Sequence, residues 1–182
     1  VALNAPKTVI LAADEASLYL QSTLMRVWAP TGQTPVIKVA ANRDNTHFYG
    51  ALNLIDGSEV TLRSQLMTSD VSALFLNRLL LTYPDKPILL LWDRATWHRG
   101  EAVRSVLAAN PRLEILWFPP GSPELNPQEH IWKAAREAVG HNHTRPKLPE
   151  LAEAFEKHLT TTKFPCSLLD KYTYREICAT FN

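Results

Sequence analysis

A chain of 182 residues, 46% of them hydrophobic, is long enough for one α/β domain with a real core and short for two. Lys and Arg number 19 against 18 Asp and Glu, so the net charge is only +1, which excludes binding to nucleic acid through bulk charge and leaves only local clusters of cations for that purpose. The longest apolar runs are far too short to span a bilayer, the start carries no signal-peptide pattern, and Cys166 and Cys178 lack metal-ligand spacing, so a cytoplasmic protein with no membrane partner is expected.

The chain begins at Val1, not Met, and a piece of a longer protein is expected. Residues 9–13, Val-Ile-Leu-Ala-Ala, read as a central strand buried on both faces, stopping at Asp14-Glu15. A loop with Pro30, Gly32 and Pro35 leads to strand-like segments at 36–40, 46–54 and 59–66, with Asp56-Gly57 as a hairpin signal between the last two. The period then changes: residues 70–83 place Val71, Leu74, Phe75, Leu79 and Leu80 on one side of a helix, ended by Pro84 and Pro87. A second apolar strand over 88–92 stops at Asp93. A helix over 100–109, a short strand over 114–118, a helix over 127–139 stopped by Gly140, and a helix over 149–159 complete the chain. This order suits a mixed sheet with helices packed on it.

The approach to the third helix reads Pro119-Pro120-Gly121-Ser122-Pro123-Glu124-Leu125-Asn126-Pro127-Gln128-Glu129-His130-Ile131-Trp132. As a cap it is complete: Asn126 accepts from the first turn, Pro127 suits the first helical position, and Glu129 falls where a capping-box Glu reaches back. A cap does not explain the rigid proline-rich approach, which fixes where that turn points. Asp14 and Asp93 each follow a buried strand, and an isolated Asp there is a turn residue more often than a ligand. Two strand ends and an aimed helix start can nevertheless bring three carboxylates to one point, beyond the strand termini where ligands gather in such sheets. Three packed anions need a counter-charge, and an all-oxygen set favours Mg²⁺ or Mn²⁺ over Zn²⁺. The positive end of the helix dipole also suits an anion at Glu129. If Asp14 points into the site, strand alternation sends Glu15 to the opposite face.

These residues resemble a family. Asp14-Glu15 after an apolar strand, then Trp92-Asp93-Arg94-Ala95-Thr96-Trp97-His98, then the segment from Pro119 to Trp132 are similar to the catalytic domain of DDE transposases, specifically bacterial insertion-sequence enzymes related to the mariner-like group. The resemblance covers roughly residues 9–140. The 35 residues between Asp93 and Glu129 suit that group's spacing, and Arg94 is a departure where many relatives have Asn. It implies a ribonuclease-H-like mixed five-stranded sheet flanked by helices, with the catalytic domain over 1–145 and a helical extension of the same domain over 146–182. It implies that Asp14, Asp93 and Glu129 are at once the catalytic residues and the ligands of two Mg²⁺ or Mn²⁺ ions. The implied partners are double-stranded DNA, as transposon ends and target, and a second copy of the chain in a homodimer or larger DNA complex. The implied setting is a bacterial cytoplasm, associated with the nucleoid.

The other candidates each carry a plain reading beside the functional one. His98 stands to approach the phosphate or orient a water, or to cap and pack. Trp132, one turn beyond Glu129, reads as core. Lys133 and Arg136 share roughly one face with Glu129 and are candidate phosphate contacts, as are Arg145 and Lys147, with His141 and His143 nearby, in the loop after the helix. Competing functions are a stand-alone ribonuclease-H-like nuclease and a catalytically silent DNA-binding module; a glycosidase lacks sugar-stacking aromatics around its acids.

Overall fold

The computed structural model describes residues 8–36, 38 and 43–164. Five strands, β1 (Val9–Tyr19), β2 (Asn45–Asn53), β3 (Glu59–Ser64), β4 (Ile88–Trp92) and β5 (Leu113–Trp117), form one sheet in the order β3-β2-β1-β4-β5. β1, β4 and β5 run parallel, and β2 runs antiparallel to both its neighbours. The helices are α1 (Ser69–Thr82), α2 (Glu101–Ala109), α3 (Gln128–Ala135) and α4 (Leu148–Thr161). The strand expected over 36–40 falls mostly outside the described residues, as do Cys166 and Cys178.

Strand alternation divides the core in two. Ile10, Ala12, Ala16 and Leu18 of β1, with Phe48 and Leu52 of β2 and Leu89 and Leu91 of β4, pack against α3 and α4 through Ile131, Trp132, Leu151 and Phe155. Val9, Leu11 and Ala13, with Tyr49, Ile88, Leu90 and Trp92, pack against α1 and α2 through Phe75, Leu76, Leu79 and Val103. β4 is buried at all five positions, as its unbroken apolar run requires of a strand covered on both faces. The Asp56-Gly57 turn joins β2 to β3, with Gly57 at φ +71°, a conformation glycine adopts without strain. α1 starts one residue before the expected helix: the Thr68 hydroxyl accepts from the Val71 N–H at 3.3 Å. No helix among the described residues is long and apolar enough to cross a membrane.

Candidate active site

The first strand does not stop at Asp14. β1 continues to Tyr19, because its β2 side stays paired throughout, Asp14 opposite Gly50 and Tyr19 opposite Asn45. Its other edge is paired with β4 only over Val9 to Ala12. Asp14 therefore lies within a strand, just beyond the end of the parallel pair, where one edge opens. The pleat turns it to the α3 side, between Ala12 and Ala16. There Trp132 Nε1 donates to Asp14 Oδ2 at 3.1 Å. Trp132 is core, as expected, at 1% exposed, and its indole N–H also holds a site carboxylate. Burial, then the charges of Glu15 and Glu129, push Asp14 up to about 8; the Glu15 backbone N–H opposes this, and Asp93 adds least.

Asp93 follows β4 directly. Its Oδ1 is fastened twice, by the Ala95 N–H at 3.1 Å and by His98 Nδ1 at 2.8 Å. His98 sits in a single 3₁₀ turn, Thr96–Arg99, and is buried. Its other nitrogen meets Glu15 Oε2 at 2.9 Å. Glu15 does face the opposite side from Asp14, where its carboxylate also accepts from Trp92 Nε1 at 3.2 Å and Trp97 Nε1 at 3.1 Å. Burial lowers the His98 pKa, but the hydrogen bonds to Asp93 and Glu15 and their charges outweigh it, raising it to about 9. The His98 bond in turn holds Asp93 below the usual carboxylate range, against its partial burial. The imidazolium stacks on Trp92 with centroids 3.6 Å apart, a favourable cation–π arrangement. Both ring nitrogens are thus engaged by protein carboxylates, which leaves neither for a phosphate.

The expected capping box at α3 is half made. Asn126 Oδ1 accepts from the Gln128 N–H at 3.1 Å, but the Asn126 N–H that Glu129 would have to accept from already donates to Pro123 O at 2.9 Å. That bond closes a 3₁₀ turn, Pro123–Leu125, which the proline-rich approach builds. Asn126 Nδ2 reaches Ala13 O at 3.0 Å and so ties the helix start to β1 beside Asp14. The Glu129 carboxylate is exposed and makes no hydrogen bond to the described residues. With Asp14, Asp93 and Arg94 it lines a pocket of about 350 Å³, walled on one side by residues 118–123. Among the described residues no three acidic, histidine or cysteine side chains are close enough to cage an ion by themselves.

None of the expected cations is among the residues that line this pocket. Lys133 is exposed, 4.0 Å from Glu137, and Arg136 opens a π-helical turn, Arg136–Gly140. The loop after it is fastened to the chain beyond β1: Asn142 Nδ2 donates to Met25 O at 3.1 Å, and the His143 N–H to the Ser22 hydroxyl at 3.0 Å. His143 is buried, Arg145 Nη1 donates to Val139 O at 3.3 Å, and Lys147 is exposed. The residues missed by sequence reasoning are the anchors, Glu15 and the indoles of Trp92, Trp97 and Trp132. The only signal for these roles was their place in the quoted motifs.

Comparison with known proteins places this geometry. Residues 9–152 match the family model of the DDE superfamily endonucleases. Over 154 residues the chain is 25% identical to the insertion element IS630 uncharacterized 39 kDa protein of Shigella sonnei, covering 84% of this chain and 45% of that one. The fold is similar to the Mos1 transposase in its paired-end complex with left transposon end, with a TM-score of 0.67 and 16% identity over 95% of this chain and 55% of that chain. It is similar also to the mariner Mos1 paired-end complex with Mg (TM-score 0.66, 17% identity, 96% and 56% covered). The catalytic domain of Mos1 mariner transposase is similar at TM-score 0.61 and 15% identity, with 97% of this chain and 81% of that one covered. The chain spans about half the length of the curated relative and of the Mos1 chains in the paired-end complexes. A ribonuclease-H-like sheet, a pocket lined by Asp14, Asp93 and Glu129, and a family match over most of its length agree: the chain belongs to the DDE superfamily endonucleases.

Proposed function

We propose that this chain is the catalytic domain of a bacterial DNA transposase, which cleaves phosphodiester bonds at transposon ends and joins the freed strand to target DNA. The observation that carries the reading is the way three carboxylates from β1, the end of β4 and the first turn of α3 line one pocket, two of them fastened through a single oxygen. Trp132 holds Asp14 by Oδ2, while His98 and Ala95 hold Asp93 by Oδ1. All three side chains line the pocket. This set fits hard divalent ions: every donor is oxygen, and Asp14, pushed up to about 8 by burial and neighbouring anions, lacks a counter-charge. Asp14, Asp93 and Glu129 would hold two Mg²⁺ or Mn²⁺ ions. When bound, such ions supply the positive charge that activates a water or a 3′-hydroxyl and steadies the leaving oxygen.

The chain's own residues do the positioning. Glu15 and His98 lock Asp93, the indole of Trp132 locks Asp14, and the Pro119–Pro123 wall with the Asn126 bond to β1 aims Glu129. The carboxylates do not form a closed cage among the described residues, so phosphate oxygens of DNA would complete the coordination of bound ions, and ions would bind weakly without DNA. Lys133, Arg136, Arg145 and Lys147 contact the DNA backbone outside the pocket, in a cytoplasmic, nucleoid-associated homodimer or larger DNA complex. Assays of end cleavage and strand joining with Mg²⁺, on the parent and on Glu129→Gln in the full-length protein, test the reading. Gln preserves the helix start, so the variant folds within about 1 kcal/mol of the parent yet loses both reactions. Parent-like cleavage by Glu129→Gln contradicts it.

A further inference from the structure

Gly50 pairs with Asp14 across the β1–β2 ladder, and the space a side chain would need there, on the same α3 face, is filled by side chains from β3 and α3. A Cβ on Gly50 would stand 2.5 Å from Gln128 Nε2 and Trp132 Cη2, and closer still to Glu59 Oε1. Into this gap, directly beneath the active-site strand, comes a carboxyl group with no cation among the described residues to pair it. Glu59 opens β3 and is buried; Gln128 opens α3 and is fully buried at 0% exposed. Gln128 Nε2 donates to Glu59 Oε1 at 2.6 Å. The other half of each group, Glu59 Oε2 and Gln128 Oε1, is buried without a partner.

Two bare acceptor oxygens in a buried site are costly, and native interiors leave few of them. An amide oxygen can only accept, whereas a carboxyl oxygen becomes a donor on gaining a proton. A proton on Glu59 Oε2 would turn that atom into a donor, and Gln128 Oε1 is the unpartnered acceptor on the group it already meets. Turning the amide over does not remove the requirement, because it would set two oxygens 2.6 Å apart and demand a proton between them. Burial acts in the same direction, pushing the Glu59 carboxyl well above its usual range, with only the Gln128 bond opposing it.

We propose that Glu59 is a positioning residue for this active site: as a neutral acid it forms a two-bond ring with the Gln128 amide, and that ring fixes the first turn of α3, whose next residue is Glu129. The inference rests on the reading of Glu129 as a metal ligand given above. The start of α3 then has two struts, Asn126 to β1 and Gln128 to β3, and the missing side chain at Gly50 makes room for the second.

The test compares Glu59→Gln and Glu59→Leu with the parent in the full-length protein, by Mg²⁺-dependent DNA cleavage and by infrared difference spectra of parent minus Glu59→Gln at neutral pH. Leu keeps the bulk and removes the ring, so kcat falls at least about tenfold with KM for DNA unchanged, as expected of a misplaced ligand. Gln is permanently neutral and can both donate and accept, so it restores cleavage to within about threefold of the parent, since an amide–amide ring replaces the acid–amide one. The difference spectrum shows the carbonyl band of a protonated carboxylic acid. A Glu59→Gln variant as inactive as Glu129→Gln, a Glu59→Leu variant with parent kcat, or a spectrum showing only ionised carboxylate overturns the proposal. If Glu59→Leu does not fold, Glu59→Gln and the infrared band decide. If the parent itself cleaves no DNA, the reading of the site fails and the band still judges the pair.

Discussion

Asp14 and Glu15 are neighbours on one strand, yet the sheet gives them opposite fates. Glu15 points to the α1–α2 side and is sealed, its side chain 4% exposed and accepting from two indoles and a protonated imidazole. Asp14 points to the α3 side, receives one indole N–H, and faces two further carboxylates across an open pocket. In the proposed reading the sealed carboxylate is an anchor and the under-supplied one a ligand. Buried carboxylates are normally paired, so the one left without a counter-charge marks where the missing charge belongs. The two sides meet at His98, which carries the order of the Glu15 side across to Asp93.

Removing the anchor should have the largest effect on the fold. Glu15→Leu leaves the buried Trp92 indole, the half-buried Trp97 indole and a buried imidazole without this acceptor, and breaking a buried pair in this way costs about 3–5 kcal/mol. Urea unfolding monitored by tryptophan fluorescence measures it; a loss below about 1 kcal/mol would show that the sealed side is ordinary packing. On the open side the loss should fall on activity. Trp132→Phe keeps the ring in the core and deletes only the N–H to Asp14, so Mg²⁺-dependent cleavage should drop about 10- to 100-fold with little change in melting temperature. Unchanged cleavage would mean that Asp14 does not need its orienting donor.

The last effect concerns Asp14 and pH. Its folded pKa, about 8, lies above the ordinary value of 3.8, so the folded state prefers the proton. The stability this contributes is fully present below pH 3.8 and is lost as pH rises through about 8. Asp14→Asn carries no such penalty: without metal, it should melt above the parent at pH 9 and close to it at pH 4. Added Mn²⁺ should stabilise the parent and not the variant. Equal melting temperatures at pH 9 would show that Asp14 is not held in the strained state described.

Much of this site was legible in the sequence because it depends on local pattern. The apolar run of β4 ending at Asp93, and the Pro-rich approach that ends at Glu129, each announce a carboxylate at the end of a rigid element. What was not legible depends on partners far along the chain. β1 continues past Asp14 because β2 pairs with it, and a polar strand held on one edge looks, in sequence, like a strand that has stopped. The capping box fails through a single competing bond, Asn126 N–H to Pro123 O, that no spacing rule reveals. Glu15 meets His98 across 83 residues and Trp132 meets Asp14 across 118, so both anchors exist only once the sheet has formed.

The central claim is that Asp14, Asp93 and Glu129, and not the adjacent Glu15, hold the divalent ions. Crystals of the protein with a transposon-end DNA duplex, soaked in Mn²⁺ and measured for anomalous scattering at the manganese edge, test it most directly. The account predicts manganese peaks bound by Asp14, Asp93 and Glu129, with Glu15 still joined to His98. Manganese bound by Glu15, or DNA seated in the pocket with no peak at Asp14 and Asp93, would contradict it.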